Sequence, residues 1–320
     1  MKKHKIAIIG TGNIANFHVP ALRATGFNIV ACTGKKNSKT AHEFSAKHNI
    51  PSVTNGLDEL INNFQEIEAF IVAVSVNSTV EVLEKLNQLK KPVLVEKPIS
   101  LYPRDFEKLE NFNSNLMVAY NRRFYSTVQK AKEFITKNKP CFIKMNLPDY
   151  IDFTLKDSEQ DFYNVRENSV HGIDILNYLL PGLEINNVTT YKQPNKNIGK
   201  SIQLKDKYDN NALVQMNWNS PSNFSLNIEA HPYRLELKPF ERFSLYSGMS
   251  VIEPSKDFPL RRYVPDLIEE GHVFTKNKEF KPGFLEQSKE FYNIVSGEKK
   301  DISADLNDAK IACSMADEIL

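Results

Sequence analysis

The chain has 320 residues, 41% hydrophobic and 25% charged, which is ordinary for a soluble globular protein and long enough for two packed cores. A formal net charge of +2 gives no basic field for nucleic acid, and the clusters Lys2-Lys3-His4-Lys5, Lys35-Lys36 and Lys299-Lys300 read as solvated surface. No segment approaches the roughly 18 apolar residues of a membrane span, and the apolar run after the basic N-terminus is too short for a signal peptide. Cys32, Cys141 and Cys313 are scattered, with no metal-ligand or CxxC spacing, so free thiols, a cytoplasmic location and no bound metal are expected.

Short apolar strands alternate with helical stretches through about residue 120. Strands are expected at 5–9, 28–33, 69–74, 93–95 and 116–119, and helices at 14–24, 40–48, 57–64, 79–89 and 104–112. Continuous apolar strands separated by helices imply a parallel sheet covered on both faces. After Asn121 the texture changes. A helix at 127–137 leads into period-two runs at 142–145, 201–204, 212–218 and 224–228, the pattern of an antiparallel sheet with one exposed face. A helix at 169–180 interrupts them and stops at Pro181-Gly182, and a last helical segment closes the chain. The expected fold class is therefore α/β: a doubly wound domain at residues 1–121, then an α+β domain at 122–320 with a large, mostly antiparallel open sheet.

The stretch Gly10-Thr11-Gly12-Asn13-Ile14-Ala15 directly follows a strand and opens a helix. Gly10 permits the tight turn, Gly12 lets the backbone approach a pyrophosphate, and Ala15 keeps helix and strand close. The helix N-terminus then offers N–H groups and a positive dipole end to phosphates. An NAD site usually carries an acidic residue about 20 positions on, at the end of the second strand. This chain has Cys32-Thr33-Gly34-Lys35-Lys36 there. A 2′-phosphate would gain a hydrogen bond from Thr33 and an ion pair from Lys35 or Lys36, so NADP(H) is favoured over NAD(H).

Glu96-Lys97-Pro98 ends the buried run Val93-Leu94-Val95, and ligands of doubly wound sheets bind outside the carboxyl ends of strands. Lys97 is thus placed to face a nicotinamide. On the 169–180 helix, Val170, Ile173, Leu176 and Leu180 form an apolar face. Glu167, His171, Asp174 and Tyr178 form a polar stripe beside it, which offers His171 a tuned pKa and a fixed tautomer.

The motifs GTGNIA, VSVNS around Asn77, VLVEKP and AYNRRF (119–124) stand in the order seen in the Gfo/Idh/MocA oxidoreductases, which this chain resembles most specifically over residues 5–125 and on through ENSVHGIDILNYL (167–179). The resemblance implies a Rossmann domain joined to a second domain whose open sheet often mediates oligomerisation, here as a homo-dimer or homo-tetramer. It further implies that Lys97 and His171 flank the substrate, and it carries Asn77 and Glu96 over as cofactor contacts beside Thr11, Asn13 and Ile14. Glu167 stands where many members have Asp, and Val80 where a histidine is frequent. The substrate class implied is a sugar, sugar nucleotide or cyclitol.

His171 is accordingly the candidate general acid/base, and Lys97 the group that stabilises charge on the reacting oxygen. Glu96 orients Lys97, Glu167 and Asp174 orient His171 or hold substrate hydroxyls, and Arg122 or Arg123 line the site. Residues 232–287 are assigned to substrate specificity. Two other functions fit the same motifs: a dinucleotide-binding regulator without turnover, and a glycosidase-type elimination with recycled nicotinamide. Retention of both Lys97 and His171 argues against the regulator.

Overall fold

The computed structural model describes residues 3–112, 115–152, 154–194, 196–273, 279–298 and 301–320. Lys2 and Lys299-Lys300 of the basic clusters lie outside them. Contacts divide the chain into two units: Met1–Phe124 with Asn277–Asp317, and Tyr125–Lys276 with Glu318–Leu320. The division differs from the one at residue 121 in two respects, the first being a boundary at Phe124. Second, the C-terminal helical segment returns to the first unit.

In the first unit, β1 (Lys5–Ile9), β2 (Asn28–Thr33), β3 (Ser52–Thr54), β4 (Ala69–Val72), β5 (Val93–Val95) and β6 (Leu116–Val118) form a six-stranded sheet. Its order is β3-β2-β1-β4-β5-β6, with every pair parallel. That is the doubly wound arrangement in which the order reverses beside β1, opening a crevice at the strands' carboxyl ends. Ile6, Ala7, Ile8, Ile71, Leu94 and Val95 are all buried, as strands covered on both faces require. The sequence pattern missed β3, whose three residues, Ser-Val-Thr, are too few to show a period.

The connecting helices are α1 (Ala15–Ala24), α2 (Lys39–His48), α3 (Leu57–Asn63) and α4 (Val76–Asn87). The helix expected at 104–112 is a tighter 3₁₀ segment, Pro103–Leu109. The C-terminal α8 (Phe284–Val295) packs against α1. Thr25 and Ser288 share a 2.8 Å hydroxyl hydrogen bond, and the Phe27 and Phe291 rings lie 5.7 Å apart. Ala304, just before α9 (Leu306–Ile319), bridges to Val118 of β6.

The second unit is built on eight strands: β7 (Phe142–Asp149), β8 (Glu184–Gln193), β9 (Lys196–Lys205), β10 (Asn211–Trp218), β11 (Ser225–Ala230), β12 (Tyr233–Leu237), β13 (Arg242–Ile252) and β14 (Arg262–His272). Their order is β14-β13-β12-β11-β7-β10-β9-β8; β7 and β10 pair in parallel and the other neighbours antiparallel. Burial alternates along β10 and β11, so period two correctly marked a sheet with one covered face. The helices are α5 (Ser126–Lys137), α6 (Asp157–Tyr163) and α7 (Val170–Leu179). Thr127 at the start of α5 donates to the carbonyl of Phe240 at 2.6 Å, tying that helix to the sheet's β12 side.

Beneath α6 lies a buried ion pair. Lys200 Nζ is 3.4 Å from Asp161 Oδ2, with both side chains under a tenth exposed. Trp218 Nε1–H donates to Asp161 Oδ1 at 3.1 Å, and Asn197 Nδ2–H donates to Oδ2 at 3.0 Å. Removing one member of such a pair leaves the other charge buried, which costs more than the intact pair contributes. Lys200→Met should therefore destabilise the second unit by roughly 3–5 kcal/mol, read as a fall in the urea midpoint of the transition that quenches Trp218.

Candidate cofactor and catalytic site

The glycine loop is built by close backbone approach. Gly10 has φ +95°, and a Cβ there would lie 2.3 Å from the carbonyl oxygen of Ala73, the residue following β4. Glycine alone fits both the dihedral and the contact. Gly12 is the opposite case: a Cβ there would meet nothing within 4 Å. The space above the first turn of α1 is open, and no side chain caps that helix. Asn16 donates to the carbonyls of Gly12 and Asn13 at 3.3 and 3.4 Å, while its own Oδ1 accepts from Lys47 Nζ and His48 Nε2 at 2.9 and 2.8 Å. The Ala15 and Asn16 N–H groups bond the same two carbonyls at 3.2 Å, so an anion would be met by the positive end of α1 and by the loop N–H groups that precede Ala15. These residues fit a dinucleotide pyrophosphate. Thr11, Gly12, Asn13 and Ile14 all reach the surface there.

At the end of β2, the structure corrects one expectation. Thr33 is buried; its hydroxyl donates to the Thr54 carbonyl at 3.1 Å and accepts the Gly56 N–H at 3.2 Å. That proton is committed to β3, a strand invisible in the sequence pattern, so Thr33 serves the sheet and has none to give a 2′-phosphate. Lys35 and Lys36 are both exposed, and Ser38 caps α2 by accepting the Ala41 N–H.

Glu96 and Lys97 follow β5, and the Lys97–Pro98 peptide is cis. Glu96 Oε1 is 2.7 Å from Nε2 of His18, a buried residue of α1, and Glu96 Oε2 accepts the Lys97 N–H at 3.2 Å. One carboxylate therefore joins the phosphate-loop helix to the backbone of the candidate catalytic lysine. The sequence reading passed over His18. Its only signal was a polar residue on the buried side of an amphipathic helix, eight positions after Gly10. Asn77 lies in the first turn of α4 and is exposed.

Arg123 departs from its assignment. It is 3% exposed and pairs with Asp308 of α9 at 3.3 Å, which makes it an internal tie between β6's exit and the C-terminal helix. Arg122 remains partly exposed, and its charge reaches Lys281.

In the second unit, His171 and Asp174 are buried residues of α7. Gly172 lets that helix sit down on β7: a Cβ there would come within 2.4 Å of Leu147 Cδ2. Glu167 is not on α7. It is exposed in a π-helical turn, Asn164–Asn168, whose wider winding is marked by the Ser169 N–H bonding the Asn164 carbonyl at 2.9 Å. The expected polar stripe is thereby interrupted, and only Asp174 and Tyr178 share His171's helix. Tyr178 donates to Gln129 of α5 at 3.1 Å. Among the described residues, no group of three or more His, Cys, Asp or Glu is placed to hold a metal ion.

Comparison with known proteins bears on the same segment. Residues 4–117 match the family model of the Gfo/Idh/MocA oxidoreductases, described as an oxidoreductase family with an NAD-binding Rossmann fold. Residues 4–117 are thus similar to the NAD-binding Rossmann domain of that family, a match over a little more than a third of the chain. It is 25% identical over 195 residues to myo-inositol 2-dehydrogenase of Thermotoga maritima, an alignment spanning 58% of this chain and 57% of that one. Its fold resembles an oxidoreductase of the same organism, with TM-score 0.77 and 18% identity over 99% of this chain and 96% of the other. It also resembles levoglucosan dehydrogenase in complex with NADH, with TM-score 0.78 and 14% identity over 99% and 96% of the two chains. The likeness to these two structures is one of fold.

Within this Rossmann-like unit, the His18–Glu96 bond is the contact most open to test. His18→Leu removes the partner of a partly buried carboxylate and should cost about 1.5–3 kcal/mol of stability. His18→Gln, which keeps an N–H donor, should recover part of that loss in chemical denaturation.

Proposed function

We propose that the protein is a nicotinamide-dependent oxidoreductase moving hydride to or from a carbinol or carbonyl of a sugar, sugar nucleotide or cyclitol. The observation that carries this reading is the glycine loop, with Gly12 facing open space at the α1 N-terminus, on a sheet whose next carboxyl-end loop but one presents Glu96-Lys97. When bound, the nicotinamide ring supplies or accepts the hydride. The rest falls to side chains. His171 takes the hydroxyl proton as a carbinol is oxidised and returns it in reduction. Lys97 hydrogen-bonds the reacting oxygen and stabilises the negative charge that develops there. Glu96 holds the Lys97 backbone in place. Asp174 orients His171, Glu167 holds substrate hydroxyls, and Arg122 lines the substrate end.

NADP(H) is the preferred cofactor in this reading. No acidic residue follows β2, and the exposed Lys35 and Lys36 are available to a 2′-phosphate. Self-association through the second unit's sheet is part of the same reading. Met249, Val251, Leu260, Tyr263, Leu267 and Ile268, along β13, β14 and their connection, are each at least half exposed. A run of that kind marks an interaction surface, here taken to form a homo-dimer or homo-tetramer. A cytoplasmic location is supported by three buried free cysteines, of which Cys32 and Cys141 are pushed up to about 11 by burial and so remain protonated thiols. Among the described residues, no helix is long and apolar enough to cross a membrane.

NADPH should bind at least about tenfold tighter than NADH, a difference of ~1.4 kcal/mol, and replacing Lys35 and Lys36 together with Ala should erase most of it in side-by-side titrations at one ionic strength. Tighter NADH would reject the lysine assignment, and binding of neither would reject the oxidoreductase. On a sugar and cyclitol panel, Lys97→Met and His171→Ala should each lower turnover by about a hundredfold or more with dinucleotide affinity retained. Near-native turnover in both variants would refute their assignment.

A further inference from the structure

Lys281 stands near the loop that leaves the carboxyl end of β6. It belongs to the C-terminal segment that returns to the first unit, and residues next to it are pinned from two sides. The carbonyl of Pro282 accepts the Asn121 Nδ2–H at 3.0 Å, which ties the segment to the loop after β6. The Phe284 ring lies 4.8 Å from the His18 ring and 6.2 Å from the Phe17 ring, which ties it to α1. Just before these anchors in the chain, the Lys281 ammonium lies 4.7 Å from the centre of the Phe17 ring and 5.3 Å from that of Phe284. Phe17 is two residues beyond Ala15, the last position of the glycine motif, and its side chain is 45% exposed.

Among the described residues, the ammonium makes no ion pair or hydrogen bond; the two rings are its direct contacts, and Glu96 and Arg122 act on its charge from farther away. The surroundings work against its charge. Burial lowers its pKa below the ordinary lysine value, Glu96 opposes that, and Arg122 adds to it. The lysine remains open to solvent on one side. A cation held by two rings beside a carboxylate already bonded to His18 and to the Lys97 N–H is placed to receive an anion from outside the chain.

We propose that Lys281 is a cofactor-binding residue, its ammonium receiving the pyrophosphate of the dinucleotide from the side opposite the glycine-loop N–H groups. The proposal rests on the dinucleotide reading of that loop. It gives the pyrophosphate one side-chain cation in addition to backbone donors, and it explains why the C-terminal segment packs on α1 rather than ending with the second unit's sheet. The alternative source of an anion at this point is a carboxylate or phosphate on the substrate, and the test separates the two.

The experiment is titration of the intact protein and of K281M, K281Q and K281R with NADPH, NADH and ADP-ribose at low and high salt. Lys281 reaches solvent and makes no ion pair or hydrogen bond among the described residues, so the variants should stay folded, with at most a small fall in melting temperature. The expected result is that K281M and K281Q weaken every pyrophosphate-bearing ligand by about tenfold, with a shallower salt dependence, while K281R stays within about threefold of wild type. Unchanged dinucleotide and ADP-ribose affinity in K281M overturns the proposal, including the case in which only the KM of an acidic substrate rises. A wild-type protein that binds none of the three ligands is a separate result: it removes the dinucleotide reading itself, and this assignment with it.

Discussion

The approach of Gly10 to the backbone of Ala73 is the contact on which the first unit depends. With a Cβ only 2.3 Å from that carbonyl oxygen, any other residue would force apart the ends of β1 and β4 where the strand order reverses. The crevice of a doubly wound sheet exists only if those ends stay close while the following chains diverge to opposite sides. Gly12 then needs no room for itself and leaves room for a ligand. Two glycines separated by one residue thus do different jobs, one permitting protein to touch protein and the other keeping protein away.

A second constraint gathers around Glu96. Its two oxygens are divided between His18 on α1 and the Lys97 N–H, and the Phe284 ring covers His18 from α8. Elements more than 250 residues apart in sequence thereby meet around one carboxylate. Lys97 therefore leaves β5 with its backbone held and its side chain partly exposed. Of the acid and base that end this buried strand, the acid thus ties α1 to the chain leaving β5, and the base keeps a partly exposed side chain.

The second unit uses the same device in another form. Gly172 lets α7 rest on Leu147 of β7, which buries His171 and Asp174 in the helix that carries them. The π turn just before α7 lengthens the winding by one residue per turn and carries Glu167 out to solvent. A spacing of four residues on paper is therefore not one helical turn in space. The buried Asp161–Lys200 pair fastens α6, which leads into that π turn, to β9.

What the sequence determined by itself follows from short-range physics. Parallel buried strands announce themselves as unbroken Val, Ile and Leu. An antiparallel sheet shows period two, and the glycine loop combines turn geometry with a helix start, so the two-part α/β architecture, the dinucleotide loop and the Glu96-Lys97 strand end were all legible. Tertiary structure decided what depends on distant partners. Thr33 gave its hydroxyl to β3, Arg123 was claimed by Asp308, Glu167 was moved by a π turn, and His18 and Lys281 acquired their surroundings from strand ends and a returning C-terminal segment. A residue's type limits what it can bond, but which atom takes its last proton or lone pair is set by chain from elsewhere in the sequence, and no local pattern carries that information.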